Sequence, residues 1–351
     1  MTRVLMKGNE AIAEASIRAG CRFFFGYPIT PQSEISEYLA KRYPEVGGTF
    51  VQAESEVAAS NMVYGAACVG VRAFTSSSSP GISLMSEAAS YIAASEVPAV
   101  LVNIVRAGPG LGGILPSQGD YWQATRGMGH GDFRLLVLAP SSVQEAANLV
   151  LLAFELADKY TNPVMVIGDG IIGQMMEPVE FGEMIDPASL PAKPWALTGA
   201  KGRPPNIITS LFLDPVKNEE LNQRMYRKYK RMEAEEKRWE EYNVSDKMKL
   251  LVFAWGTMAR IAKTAIDDLR ADGIEAGLFR PITLYPFPSE AAAAAAAKAE
   301  KLISIELSTG QMIDDVRLAV CGRPVAFFGR QGGMVPTPGE VKGEFLKLIK
   351  S

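Results

Sequence analysis

Short apolar runs alternate with longer amphipathic or small-residue runs over residues 8–180, which predicts strands alternating with helices. The strand pattern falls on residues 21–25, 49–53, 73–76, 99–105, 135–138 and 163–167. The helix pattern falls on 33–41, 56–69, 82–95 and 143–159. Residues 99–105 read Ala-Val-Leu-Val-Asn-Ile-Val, apolar almost throughout, as expected of a strand in a parallel sheet covered on both faces. Such alternation implies an α/β fold with a doubly wound parallel sheet.

From 182 to 215 the pattern breaks into Pro-rich, irregular sequence. Leu221, Met225, Tyr229, Met232 and Trp239 then recur at helical spacing within a highly charged run, which predicts a connecting helix packed on a domain by one apolar stripe. A second, smaller α/β unit is expected from 249. It has strands at 250–255, 275–279, 302–306 and 325–328 and helices at 258–272 and 291–297. The expected division is 1–185, a linker at 186–248, and 249–351.

At 351 residues, 48% hydrophobic and 21% charged, the composition is that of an ordinary globular protein with two or three domains. A net charge of −3 gives no basic field for nucleic acid or an anionic membrane. No apolar run has the length of a membrane span, and residues 1–8 lack the apolar core of a signal peptide, so a cytoplasmic protein is expected. Cys21, Cys68 and Cys321 are too few and too scattered to ligate an iron–sulfur cluster, and they read as buried small hydrophobes.

Candidate chemistry gathers at the predicted strand ends. Glu56 stands where a β-branched and aromatic run gives way to a small-residue helix, pointing a carboxylate at the sheet-end crevice where open α/β folds bind ligands. On spacing alone it reads as a first-turn acid answering the helix dipole, and the neighbouring segments favour the ligand reading. Gly26-Tyr27-Pro28-Ile29-Thr30-Pro31 holds the Thr30 hydroxyl in a rigid loop, either for a ligand oxygen or simply as a turn. Arg106 follows the 99–105 strand and opens a Gly-rich loop. It is placed to clamp a carboxylate through two hydrogen bonds or to join a structural ion pair. Gly168-Asp169-Gly170 reads as a strand-end turn, because no Asn follows at diphosphate-motif spacing. His130, the only histidine, excludes a multi-histidine metal site and is left as either structural or substrate-lining.

As an ordered set, these segments resemble the α subunit of 2-oxoacid:ferredoxin oxidoreductases. The matching stretches are Lys7-Gly8-Asn9-Glu10-Ala11, residues 26–31 and 52–56, Pro80-Gly81, residues 106–110 and 129–132, Gly256-Thr257 and Arg280-Pro281. Residues 51–56, 61–66 and 139–145 are most similar to the 3-methyl-2-oxobutanoate (2-ketoisovalerate) type. The resemblance implies a pyrimidine-binding domain of a thiamine diphosphate enzyme followed by a transketolase-C-like domain. It also implies oxidative decarboxylation of a 2-oxoacid to an acyl-coenzyme A, with electrons passing to ferredoxin. Thiamine diphosphate would be shared with a β subunit carrying the diphosphate site, Mg and an iron–sulfur cluster, with γ and ferredoxin-like δ subunits completing the complex. The family's cofactor-activating glutamate falls on Glu56, beside Pro28 and Ile29 in the cofactor loop. Its substrate-binding residues fall on Thr30, Arg106 and, in a longer loop here, Ser117. Relatives usually carry Gly where this chain has Ser79.

Two other readings stand beside this one. Leu111, Ile114 and Leu115 suit an aliphatic substrate, and no extra cation in the 106–119 loop suits the second carboxylate of 2-oxoglutarate, yet a 2-oxoglutarate- or pyruvate-type enzyme is the runner-up. A non-catalytic scaffold subunit is the alternative from another class. It has no reason to keep a carboxylate, a hydroxyl and a guanidinium at three strand ends.

Overall fold

A computed structural model describes residues 3–351. The chain begins with β1 (Val4–Lys7), α1 (Gly8–Arg18), β2 (Phe23–Gly26), α2 (Ser33–Val46), β3 (Thr49–Gln52), α3 (Glu56–Cys68) and β4 (Ala73–Ser77). There follow α4 (Ser79–Leu84), α5 (Ser86–Ala94), β5 (Ala99–Val105), α6 (Tyr121–Arg126), β6 (Leu136–Leu138), α7 (Val143–Tyr160), β7 (Pro163–Asp169), α8 (Gly170–Gln174) and β8 (Met176–Val179). An irregular strap leads to α9 (Pro215–Glu235) and β9 (Trp239–Tyr242). The rest comprises β10 (Met248–Phe253), α10 (Gly256–Ala271), β11 (Ala276–Pro281), β12 (Thr283–Tyr285), α11 (Ser289–Ala296), β13 (Ala299–Glu306), α12 (Met312–Ala319), β14 (Ala326–Gly329) and α13 (Pro338–Lys350).

The larger sheet has the order β12-β6-β7-β5-β4-β2-β3, parallel except for β12. Every residue of β5 and β7 is buried, which is why their sequences run apolar without alternation. Val100, Val102 and Ile104 face α1, α2 and α7 on one side, while Leu101 and Val105 face α4 and α5 on the other. The connection from β2 runs outward to the edge strand β3, whereas that from β4 runs the opposite way to β5. The carboxyl ends of β2 and β4 therefore flank a topological switch point, the place where open α/β sheets leave a crevice.

The smaller sheet has the order β14-β13-β10-β11-β9, with only β9 antiparallel. One face packs on α10 and α13. Residues of the other face, Leu251, Phe253 and Phe279, share a core with Leu101, Val105, Met165 and Ile167 of the larger sheet.

Several elements differ from the sequence expectation. Trp239 does not extend the helical stripe: α9 ends at Glu235, and Trp239 opens β9, paired along β11. The other four stripe residues are buried against the larger unit's core. The helix expected at 82–95 begins earlier and is broken in two, as α4 and α5. β12, from within the second unit, crosses back to form the antiparallel edge of the first sheet. Cys21 and Cys68 are buried as expected, but Cys321 is exposed, in a turn with φ +50°. Among the described residues no helix is long and apolar enough to cross a membrane.

Candidate active site

Glu56 is the first residue of α3. Ser55 caps that helix from an extended backbone, its Oγ accepting the Ala58 N–H at 3.2 Å. The cap fixes the direction in which the helix starts, and so the direction of the first side chain. Glu56 is only 5% exposed, yet among the described residues no donor hydrogen-bonds its carboxylate. Opposite it lies Gly81 of α4, where a Cβ would come within 2.5 Å of Glu56 Oε1. Ser77 and Ser78, the end of β4 and the cap of α4, add two buried hydroxyls without partners. A buried carboxylate is normally paired or hydrogen-bonded, so a partnerless one beside orphaned hydroxyls marks a place built for another molecule's polar groups.

The Tyr27–Pro31 loop is pinned from below. Asn9 Nδ2 and Gln174 Nε2 both donate to the Pro31 carbonyl, at 2.8 and 3.0 Å. Ser76 Oγ of β4 donates to Gln32 Oε1 at 2.6 Å, tying the loop across the switch point. Thr30 and Pro28 are exposed, and Ile29 is half-buried.

Arg106 reaches this loop, its guanidinium donating to Thr30 O at 3.0 Å and to Leu111 O at 3.2 Å. Among the described residues it has no carboxylate partner, and its Nε is buried without an acceptor. The ion-pair alternative for Arg106 therefore does not hold. The Gly-rich loop after it folds back as a hairpin, Ala107 N–H donating to Leu115 O at 2.9 Å. Gly112 (φ +55°) lies against Ala107 O, where a side chain has no room. Leu111, Ile114 and Leu115 are exposed. A groove of about 730 Å³ is walled by Thr30, Ile114, Leu115, Ile171 and Met175, with no Lys or Arg in its lining. Glu34 on its wall is paired to Lys7 at 3.0 Å.

Ser117 is placed differently from the expectation. It is 8% exposed, and its hydroxyl donates to Leu307 O (3.2 Å) and accepts the Gly119 N–H (3.0 Å). That oxygen joins the two units and does not present itself to a substrate. The neighbouring Gln118 bridges the same joint, donating to Trp255 O at 2.8 Å and accepting the Leu307 N–H at 3.0 Å.

Asp169, in the turn after β7, is fully buried. Oδ1 caps α8 through the Ile171 and Ile172 N–H groups and accepts from Thr257 Oγ1 at 2.8 Å. Burial raises its pKa, opposed by the Thr257 hydrogen bonds. It is a joint between β7 and α10, consistent with the strand-end-turn reading, and it explains why Gly256-Thr257 stands where it does. His130 is exposed, its ring edge-on to Tyr91 at 6.1 Å. Sequence reasoning noted Ser79 only as a departure from the relatives' usual Gly and missed Asn103, whose signal was a polar residue inside an otherwise apolar strand; together they brace Arg106.

A switch-point crevice that offers one buried, partnerless carboxylate is the architecture of a thiamine diphosphate enzyme subunit, and residues 14–247 match the family model described as pyruvate flavodoxin/ferredoxin oxidoreductase, thiamine diP-bdg. Residues 249–341 match pyruvate:ferredoxin oxidoreductase core domain II. The chain belongs to the 2-oxoacid:ferredoxin oxidoreductase family and is a subunit of such an oxidoreductase. It is 49% identical over 333 residues to ketoisovalerate oxidoreductase subunit VorB of Methanothermobacter thermautotrophicus, covering 95% of this chain and 94% of that one. Identity is 36% over 361 residues to 2-oxoglutarate synthase subunit KorA of Methanocaldococcus jannaschii, with 96% and 97% coverage. Among solved structures, the 2-oxoglutarate:ferredoxin oxidoreductase of Magnetococcus marinus, with 2-oxoglutarate, coenzyme A and succinyl-CoA bound, superposes with TM-score 0.87 at 27% identity. It covers 99% of this chain, which spans 65% of that one. A split-gene transketolase, an inactive β4 tetramer, shares the fold at TM-score 0.59 and 15% identity.

Proposed function

We propose that this chain is the α subunit of a cytoplasmic enzyme that oxidatively decarboxylates 3-methyl-2-oxobutanoate to an acyl-coenzyme A and passes the electrons to ferredoxin. The observation that carries this reading is the Glu56 carboxylate, buried at the switch point and without a hydrogen-bond donor among the described residues. Gly81 and the Ser77 and Ser78 hydroxyls leave room and polarity around it for the aminopyrimidine of thiamine diphosphate. When bound, that cofactor supplies the carbon nucleophile and electron sink on which 2-oxoacid decarboxylation depends. Glu56 holds and shares a proton at an aminopyrimidine ring nitrogen, with Pro28 and Ile29 bordering the cofactor. Arg106 offers the remaining N–H groups of its two terminal nitrogens to the substrate carboxylate, and Thr30 orients the keto group.

The branched substrate is favoured by the apolar groove beside Thr30, which has no cation for a second carboxylate, and by the 49% identity to a ketoisovalerate oxidoreductase subunit. Val57 and Met62 expose apolar surface on α3, the helix that Glu56 opens, which supports a β subunit closing the site and bringing the diphosphate, Mg and iron–sulfur groups. Gamma and ferredoxin-like delta subunits complete the assembly. In this reading residues 1–185 are the pyrimidine-binding domain, 186–248 the connection, and 249–351 the transketolase-C-like domain.

The test is anaerobic, coenzyme A-dependent reduction of a viologen dye by the assembled complex, comparing 3-methyl-2-oxobutanoate, pyruvate and 2-oxoglutarate. The branched acid is expected to be preferred, and Glu56→Gln is expected to lower turnover by about 10³-fold with assembly intact. A preference for 2-oxoglutarate would discard the substrate and keep the family. Near-wild-type turnover by Glu56→Gln would remove Glu56 from the chemistry.

A further inference from the structure

Arg106 is held by its main chain as well as by its side chain. Its N–H donates to Ser79 Oγ at 3.0 Å, and the Ser79 hydroxyl donates back to the Arg106 carbonyl at 3.2 Å. One hydroxyl from the turn after β4 thus clips both sides of the first residue beyond β5. Ser79 is itself braced, its N–H donating to Asn103 Oδ1 at 3.2 Å. Asn103, fully buried on β5, donates in turn to Asp120 Oδ2 at 2.9 Å. Burial raises the Asp120 pKa, opposed first by the hydrogen bond from Asn103. A continuous line from Asp120 through Asn103 and Ser79 therefore ends at the peptide from which the guanidinium projects.

On the loop side the same peptide is held by the Ala107 N–H on Leu115 O at 2.9 Å, while Ser79 holds the side toward α4. The loop beyond it is glycine-rich, and residues 108–115 are exposed. Without the Ser79 hydroxyl, Arg106 loses its tie to α4, and the bonds left to it run to the exposed hairpin and to Thr30 O. The guanidinium then loses the alignment on which a bidentate carboxylate bond depends. Ser79 adopts helical backbone as the first residue of α4, so a side chain is tolerated there.

We propose that Ser79 is the positioning residue that presets Arg106 for the substrate carboxylate, an assignment that rests on the reading of Arg106 given above. The experiment compares Ser79→Ala, Arg106→Lys and the double variant in the assembled complex. It measures KM and kcat for 3-methyl-2-oxobutanoate, thermal midpoint, and calorimetric affinity for 3-methylbutanoate, an unreactive carboxylate with the same branched chain. Ser79→Ala is expected to raise KM and weaken 3-methylbutanoate by about tenfold, the scale of one good hydrogen bond, with a much smaller change in kcat and thermal midpoint. In the Arg106→Lys background it is expected to add almost nothing, because the geometry it protects is already lost.

Unchanged KM and affinity in Ser79→Ala, with Arg106→Lys raising KM, overturns the Ser79 assignment and leaves the Arg106 reading standing. A further tenfold effect in the double variant also overturns it, since Ser79 then acts elsewhere. Unchanged KM in Arg106→Lys overturns the Arg106 reading and this inference with it. Should Ser79→Ala fail to assemble, Ser79→Cys, close in size with a weaker donor, carries the same test. A smaller rise in KM is then expected, and none would overturn the proposal.

Discussion

At the scale of single residues, the site depends on a space as much as on a carboxylate. Gly81 lies so close to Glu56 that a methyl group there would sit 2.5 Å from Oε1 and run into Ser77 Oγ. Gly81→Ala is therefore expected to push the carboxylate out of place, costing about 1–3 kcal/mol of stability by overpacking and most of the turnover. A thermal melt and the viologen assay check this together. Wild-type values in both would mean that α4 shifts freely and that Glu56 is not held where the fold places it. The strand-end positions of Glu56, Thr30 and Arg106 were legible in sequence because residue type and element boundary coincide there. The direction of a hydroxyl was not. Ser117 had the right type and order for a substrate contact, but the carbonyl of Leu307, 190 residues away, accepts its hydrogen bond. Ser79 carried no readable role, because what it does depends on a strand end that lies beside it only after folding.

At the scale of elements, α9 shows why a stripe is easier to read than its end. Leu221, Met225, Tyr229 and Met232 follow the helical period and are buried, whereas Trp239 kept the approximate spacing after the helix had stopped. What terminates the run is a polar knot. Glu236 accepts from Lys159 at 2.6 Å, Tyr160 at 2.8 Å and Arg238 at 2.8 Å. Glu235 accepts from Lys159 and Arg231, each at 3.0 Å. Hydrogen bonds from Lys159, Arg231 and Tyr160 hold the Glu235 pKa down to about 2. Burial alone would raise Glu236, but hydrogen bonds from Lys159, Tyr160 and Arg238 bring it below the ordinary value of 4.5. Both carboxylates are more acidic folded than unfolded. Their contribution is therefore complete above the unfolded value and lost as pH falls through the folded one. Hydrogen exchange, corrected for its intrinsic pH dependence, is expected to show protection at 225–236 falling between pH 4.5 and about 2. That loss should precede any in the buried strand β5 and should be reduced in Glu236→Gln. Protection at α9 that falls only together with β5 would mean the knot contributes nothing separable.

At the scale of the whole molecule, the two units are fastened by contacts whose partners are far apart in sequence, which is why their arrangement was not legible. Thr257 reaches Asp169, Gln118 reaches Trp255 and Leu307, and β12 completes the sheet of the other unit. Arg280 is the most demanding of these links. It is 4% exposed and donates to both oxygens of Glu145, at 3.0 and 2.8 Å, while its Nε donates to Glu240 at 2.6 Å. The segments around Glu145 and Arg280 are among those that carried the family resemblance, and the fold gives them a structural use. Removing the guanidinium leaves the partly buried Glu145 without its cation and Glu240 with Lys263 alone, a worse state than a pair that had never formed. Arg280→Ala is expected to cost about 3 kcal/mol, a fall of roughly 4 °C in thermal midpoint for a chain of 351 residues that unfolds as one unit. Because the two sheets share one apolar core, the melt should remain a single transition and not split in two. Scanning calorimetry of the assembled complex distinguishes the cases. A lower single peak supports a fused pair of units, whereas two peaks would show that the ion pairs, and not the shared core, make the two sheets unfold as one.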